Sequence, residues 1–64
     1  GQFFQSYKTM IAFKDNNNQI FLDKNYWDYS TTTGKYRNIF LNENKKLTET
    51  KIKNNTYSLV DLNN

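Results

Sequence analysis

The fold of this chain is decided by the stretch Tyr26-Trp27-Asp28-Tyr29-Ser30-Thr31-Thr32-Thr33-Gly34-Lys35-Tyr36-Arg37, which holds four aromatic, four hydroxyl and two cationic residues in twelve positions. Ser30 or Asp28 can cap a helix, because a side-chain oxygen accepts hydrogen bonds from the free amides of the first turn. The helix is therefore predicted to run from about Ser30 to Asn42.

The two faces of this helix follow from a period of 3.6 residues. The apolar stripe, which we expect to be buried, consists of Thr32, Tyr36, Ile39 and Phe40. The opposite side, which we expect to be exposed, carries Thr31, Lys35, Asn38 and Asn42. Gly34 inside the helix lowers helix stability by about 1 kcal/mol relative to alanine. It either permits a close approach by another group or only makes the first turn less rigid.

Strands are predicted on both sides of the helix. Residues 3–13 alternate, with Phe3, Tyr7, Ile11 and Phe13 on one side, and this pattern predicts a single strand. Asp15-Asn16-Asn17-Asn18 predicts a tight turn, and residues 19–23 predict a returning strand.

The end of the chain predicts a short helix and a last strand. The break at Asn42-Glu43-Asn44 is followed by a helix over Leu47 to Asn54, which Asn55 closes in a left-handed conformation. Residues 56–62 then predict the last strand. The predicted fold is α+β in the order β-β-α-α-β: a three-stranded antiparallel sheet with one main helix and one short helix packed on one face. Residues 1–64 are expected to form a single domain, with Gly1 a remnant of cloning.

Composition argues against catalysis. The chain has 64 residues, no cysteine and no histidine, which excludes disulfide bonds, the usual zinc sites and a histidine base. The six carboxylates show no paired spacing, and Asp15-Asn16-Asn17-Asn18 offers one acidic residue where a calcium loop needs several. We therefore expect a protein that is not an enzyme and that has no metal and no cofactor.

The charge and hydropathy of the chain suggest its partners and its location. The formal net charge is +3, which mildly favours an anionic partner. No apolar run is long enough to span a bilayer, and no signal peptide is visible, so we expect a cytoplasmic protein and no membrane partner. Asn, Lys, Ile, Tyr and Phe supply 33 of the 64 residues, which indicates an AT-rich genome.

The leading hypothesis is nucleic-acid binding, with DNA expected rather than RNA. Threonine and lysine contact phosphates, and asparagine can read adenine. The predicted contact residues are Thr31, Thr33, Lys35, Arg37, Asn38, Lys45, Lys46, Lys51 and Lys53. Tyr26 could also stack on a base, whereas Trp27 is expected to complete the core. The same residues also have an interpretation without a ligand. Serine and threonine cluster at helix starts, where they act as caps, and a run of lysines usually forms a face that is exposed to solvent.

The alternative hypothesis is protein binding. Exposed aromatic rings and a free edge at the first strand would suit a partner strand or a second copy of the chain. A phage inhibitor of a host protein and a small homodimer are both compatible with this pattern.

Two segments resemble a known family. Ser6-Tyr7-Lys8-Thr9-Met10-Ile11-Ala12 and Tyr29-Ser30-Thr31-Thr32-Thr33-Gly34-Lys35, followed by Phe40-Leu41, are similar to a family of small domains of unknown function from bacteriophages and plasmids of low-GC bacteria. Where relatives place a histidine, this chain has Tyr36. The resemblance implies an origin in a mobile element, and hence either nucleic-acid handling or binding to a host factor; it supplies no catalytic residue.

Overall fold

The computed structural model describes the whole chain, Gly1–Asn64, and contains a four-stranded sheet and two helices. The elements follow in the order β1 (Gln2–Ser6), β2 (Thr9–Lys14), β3 (Ile20–Asp23), α1 (Thr31–Leu41), α2 (Lys45–Lys53) and β4 (Ser58–Val60). The strands also lie side by side in the order β1-β2-β3-β4. β2 is antiparallel to β1 and β3, whereas β4 is parallel to β3. The predicted α+β class and the two helices are confirmed, but the predicted sheet of three antiparallel strands is wrong.

The additional strand arises because the chain reverses at Tyr7-Lys8. Ser6 pairs with Thr9 across this turn, so residues 3–13 form two strands where one was predicted. Tyr7 has a φ of 55° and a side chain that is 99% exposed. A reversal at Tyr-Lys carries none of the glycine, asparagine or aspartate signals that usually mark a turn.

The reversal also changes which residues share a face. Phe3 and Phe13 are cross-strand partners, and their ring centroids lie 4.4 Å apart. Ile11, by contrast, is fully buried while Tyr7 points into solvent, so the predicted grouping of these four residues is wrong. The β1–β2 register shifts between Phe4 and Gln5, and the resulting bulge lets the neighbouring Ile11 and Ala12 both be buried.

The cap of α1 at Ser30, the turn after β2 and the left-handed Asn55 agree with the prediction, because local hydrogen bonds determine them, whereas α2 begins at Lys45 and not at the predicted Leu47. Ser30 is the N-cap of α1, and its Oγ accepts from the Thr33 amide (3.1 Å). Asn44 caps α2 in the same way, with Oδ1 accepting from the Leu47 amide (2.8 Å). Three asparagines take the left-handed conformation that their positions require: Asn18, Asn42 and Asn55.

The core lies between one face of the sheet and the helices. Its buried members are Ala12, Ile20, Leu22 and Tyr57, and the partly buried residues packed against them are Phe4, Trp27, Phe40, Leu41 and Ile52. The expected placement of Trp27 in the core is confirmed. β4 returns parallel to β3 because the two helices carry the chain back to the same end of the sheet.

The buried face of α1 is not the predicted one. Thr33, Gly34 and Arg37 are buried, whereas Tyr36 is 52% and Ile39 66% exposed. Of the predicted stripe, Thr32 is also exposed, and only Phe40 packs against the core. The helix is thus rotated about its own axis by about 100° from the orientation that its apolar pattern predicts. This angle corresponds to one residue at 3.6 residues per turn.

Candidate nucleic-acid interface

A groove of about 760 Å³ runs along one side of α1. The residues that line this α1 groove are Asp28, Ser30, Thr31, Gly34, Lys35, Arg37, Asn38, Ile39 and Lys45. Five of the predicted contact residues therefore lie together: Thr31, Lys35, Arg37, Asn38 and Lys45. Their roles, however, differ.

Arg37 belongs to the interior of the protein. Its side chain is 1% exposed, and Nη1 donates to the Trp27 carbonyl (2.9 Å) and to Asp28 Oδ1 (3.1 Å). Nη2 donates to Asn38 Oδ1 (3.0 Å), and the guanidinium carbon lies 5.2 Å from the centre of the Trp27 ring. The prediction of Arg37 as an exposed phosphate contact is wrong, because its charge is compensated inside the fold.

Asp28 pairs with two of the cations that line the groove. Its Oδ2 accepts from Lys45 Nζ (2.7 Å), while its Oδ1 accepts from Arg37. Burial would raise the pKa of Asp28, but the hydrogen bonds and charges of Lys45 and Arg37 lower it below its ordinary value. The hydrogen bond to Asp28 in turn raises the pKa of Lys45. One carboxylate thus partly neutralises two of the predicted cations.

Lys35 is the cation of the groove that has no acidic partner. It is exposed, it forms no ion pair, and its Nζ lies 5.9 Å from the centre of the Tyr36 ring. Thr31 is exposed beside it, and Asn38 is half-buried with its amide oxygen occupied by Arg37. Thr31 and Lys35 thus match the exposed helix face that the sequence predicts, whereas Asn38 is exposed only in part.

Thr33 and Lys51 have structural roles where contact roles were predicted. Thr33 is buried against the cap, with its Oγ1 at 3.1 Å from Ser30 Oγ. Lys51 Nζ donates to Glu43 Oε1 (2.8 Å), which also accepts from the Tyr57 hydroxyl (2.8 Å). Thr48 Oγ1 donates to the other carboxylate oxygen (2.6 Å), and the Glu43 side chain is only 3% exposed.

This Glu43 network shifts the pKa values of its members. Burial would raise the pKa of Glu43, but the hydrogen bonds from Lys51, Thr48 and Tyr57 lower it overall. The bond to Glu43 raises the pKa of Lys51, and burial together with the same carboxylate raises the pKa of Tyr57. Because Lys51 is committed to this network, it is not a free cation for a ligand.

Lys46 and Lys53 are the two α2 lysines that stay exposed and without an ion pair. They are seven residues apart and so project from the same side of the helix. Neither lines the α1 groove. Of the four lysines of α2, Lys45 and Lys51 therefore form ion pairs, whereas Lys46 and Lys53 do not.

The tyrosines before α1 are separated from the core. Tyr26 is half-buried, and its ring meets Tyr29 edge to face at 5.5 Å between centroids. Tyr29 is 67% exposed. The residue that the sequence prediction missed is Asp28, because its two partners follow it by nine and seventeen positions and no local pattern joins them.

Comparison with known proteins gives the family. The model of the family of unknown function DUF8033 matches residues 1–56. The chain belongs to DUF8033. The predicted resemblance to a family of small domains of unknown function is thereby confirmed at that level. No curated protein and no solved structure matches the DUF8033 chain. Neither of its helices is long and apolar enough to cross a bilayer.

Proposed function

We propose that this DUF8033 domain is a non-enzymatic module that binds DNA along the α1 groove. The observation that supports the proposal is the unpaired Lys35, which lies in the groove beside the hydroxyls of Ser30 and Thr31 and the amide of Asn38. Lysine and threonine side chains are common phosphate contacts. In this proposal Lys35 and Thr31 hold the backbone of the nucleic acid, and the free amide nitrogen of Asn38 contacts a base or a sugar.

The unpaired lysines of α2 would extend the contact. Lys46 and Lys53 carry charges that no acidic residue compensates. With Lys35 they make three cations available for phosphates. Each neutralised phosphate contributes a slope of about 0.7–0.9 to the fall of log affinity with log salt, so the expected slope is about 2–3.

Salt-dependent binding tests this proposal. Fluorescence anisotropy of labelled DNA should show binding at low salt that weakens with the slope given above. Lys35→Glu should weaken binding about tenfold or more and lower the slope by about 1. Lys24→Glu changes the net charge equally but lies outside the groove, so it serves as the matched control. An absence of binding at low salt, or equal effects of the two variants, would refute the proposal.

A second candidate function is protein binding, and two exposed apolar side chains of α1 favour it. Tyr36 and Ile39 lie three positions apart on this helix and are both more than half exposed. β1 is also an edge strand without a charged residue, and the side chain of Phe3 is 59% exposed. Unprotected edges and exposed apolar side chains are typical of surfaces that pair with a partner or a second copy.

Capture from host lysate separates the two candidates. A protein partner that is retained after nuclease treatment and lost in Tyr36→Asp would support protein binding, because Tyr36 is exposed and does not line the α1 groove. Light scattering measures the molar mass and so shows whether the chain forms a homodimer. Capture that depends entirely on nucleic acid would exclude this second candidate.

The origin and location of the domain belong to the same proposal. The motif resemblance and the AT-rich composition support a bacteriophage or plasmid of a low-GC bacterium, with the domain acting in the host cytoplasm. Phage or plasmid replication genes beside the coding sequence would support this origin. A chromosomal housekeeping neighbourhood would contradict it.

A further inference from the structure

A second cavity, which we call the tyrosine pocket, lies beside the start of α1 and has a volume of about 460 Å³. Tyr7, Tyr26 and Tyr29 line it together with the fully buried Ile11, and serine and threonine residues supply the remainder. No charged side chain lines the pocket. Its volume falls within the range of about 300–1,000 Å³ that small-molecule pockets occupy.

The rings of this pocket are not explained by packing. Tyr7 is 99% exposed and Tyr29 67% exposed, so neither ring adds much to the core. Tyr7 also has a φ of 55°, a conformation that glycine or asparagine adopts at lower cost. Folding alone would favour another residue at this turn, which makes a contact to a ligand the better reason for a tyrosine.

The lining determines the class of ligand. Aromatic faces and neutral hydroxyls suit a flat, uncharged ring with hydrogen-bonding edges, whereas a phosphate would require cations. The pocket adjoins the α1 groove, because Ser30 lines both. A nucleic-acid strand whose phosphates contact Lys35 in the groove would therefore place a base next to the tyrosines.

We infer that the tyrosine pocket holds an unpaired nucleobase, so that the domain binds its nucleic acid as a single strand; this rests on the nucleic-acid binding proposed above. In a duplex the base faces are covered by their neighbours in the stack and cannot reach the rings. Stacking on aromatic side chains is tolerant of sequence, because every base has a π face. In this inference Tyr29 stacks on the base, the exposed Tyr7 offers a second ring from the β1–β2 turn, and Tyr26 packs edge to face against Tyr29.

The test compares the affinities of single-stranded and duplex DNA. The wild-type domain should bind a short labelled oligothymidine more tightly than a duplex of the same length. The double variant Tyr7→Ala, Tyr29→Ala should lose about 5- to 150-fold in affinity for the single strand, the range found for stacking aromatics. An abasic oligonucleotide keeps the phosphates, and the wild type should bind it as weakly as the double variant binds oligothymidine.

Three controls make the outcome specific. Tyr29→Phe keeps the ring and should keep affinity within about threefold, since stacking needs only the π face. Tyr36→Ala removes an exposed ring that lines neither cavity and should leave binding unchanged. Circular dichroism of the double variant should match the wild type, because Tyr7 and Tyr29 are exposed.

The opposing results are distinguishable. Equal affinity for duplex and single strand, with the double variant unaffected, would overturn the pocket assignment and leave DNA binding in place. A loss for Tyr36→Ala as large as that of the double variant would also overturn it. Failure to bind either form at low salt would overturn both proposals.

Discussion

Replacing Arg37 tests whether its charge serves the fold or a ligand. The guanidinium is 1% exposed, makes three hydrogen bonds and lies over Trp27. The bond to the Trp27 carbonyl contributes about 1.5 kcal/mol. Asp28 is 31% exposed, so solvent screening reduces its pairing with Arg37 to about 1 kcal/mol. Stacking on Trp27 adds about 0.5–1 kcal/mol. Arg37→Ala should therefore lower the free energy of unfolding by about 3 kcal/mol.

This loss is large for so small a domain. At about 0.05–0.15 kcal/mol per residue, 64 residues have a total stability of about 3–10 kcal/mol. Urea titration followed by Trp27 fluorescence and by circular dichroism measures the change, and the midpoint should fall by about 1–3 M for an m-value of about 1–3 kcal/mol/M. Circular dichroism is needed because the substitution also alters the surroundings of Trp27.

Two variants control this experiment. Lys35→Ala, on the same helix but exposed, should change the free energy of unfolding by less than about 0.5 kcal/mol. Arg37→Lys keeps the charge but loses the planar guanidinium with its fixed set of donors, so its stability should be intermediate between wild type and Arg37→Ala. The reasoning is refuted if Arg37→Ala is as stable as wild type. If DNA affinity alone dropped, Arg37 would be a contact residue after all.

Further predictions concern pH, a buried carboxylate and a glycine. Burial would raise the pKa values of Asp23, Asp28 and Glu43, but their hydrogen bonds outweigh it and leave all three pKa values below the ordinary ones, so stability should be constant above about pH 5 and fall as the pH drops below about 4. Thermal melts across this range should show the fall, and Glu43→Gln should reduce it. Asp23 is fully buried and accepts from the amides of Asn25, Tyr26 and Leu62, so Asp23→Ala should cost about 3 kcal/mol and speed hydrogen exchange at Leu62. A Cβ at Gly34 would lie 3.6 Å from Arg37 Nη2, an ordinary contact, so Gly34→Ala should raise the free energy of unfolding by about 0.5–1 kcal/mol in urea titration; a loss would show that the helix cannot accept the methyl group.

Part of the candidate site could be predicted from the sequence. Thr31, Lys35 and Asn38 share a helix side because three and four residues complete a turn, and the structure places all three along one groove. The burial of Arg37 could not be predicted, because its partners Trp27 and Asp28 lie before the helix and meet it only after folding. The tyrosine pocket also needed the fold, since it joins the β1–β2 turn to the start of α1.

The sequence by itself determined the features that a few neighbouring residues control. Ser30 and Asn44 satisfy amides three positions ahead, and Asn42 and Asn55 accept left-handed backbone, so helix ends follow from local hydrogen bonding. The tertiary structure decided the reversal at Tyr7, the parallel pairing of β4 with β3, and the orientation of α1. Those outcomes depend on which surfaces and charges meet across the sheet, and an arginine becomes an interior residue only where a carboxylate, a carbonyl and an aromatic ring converge on it.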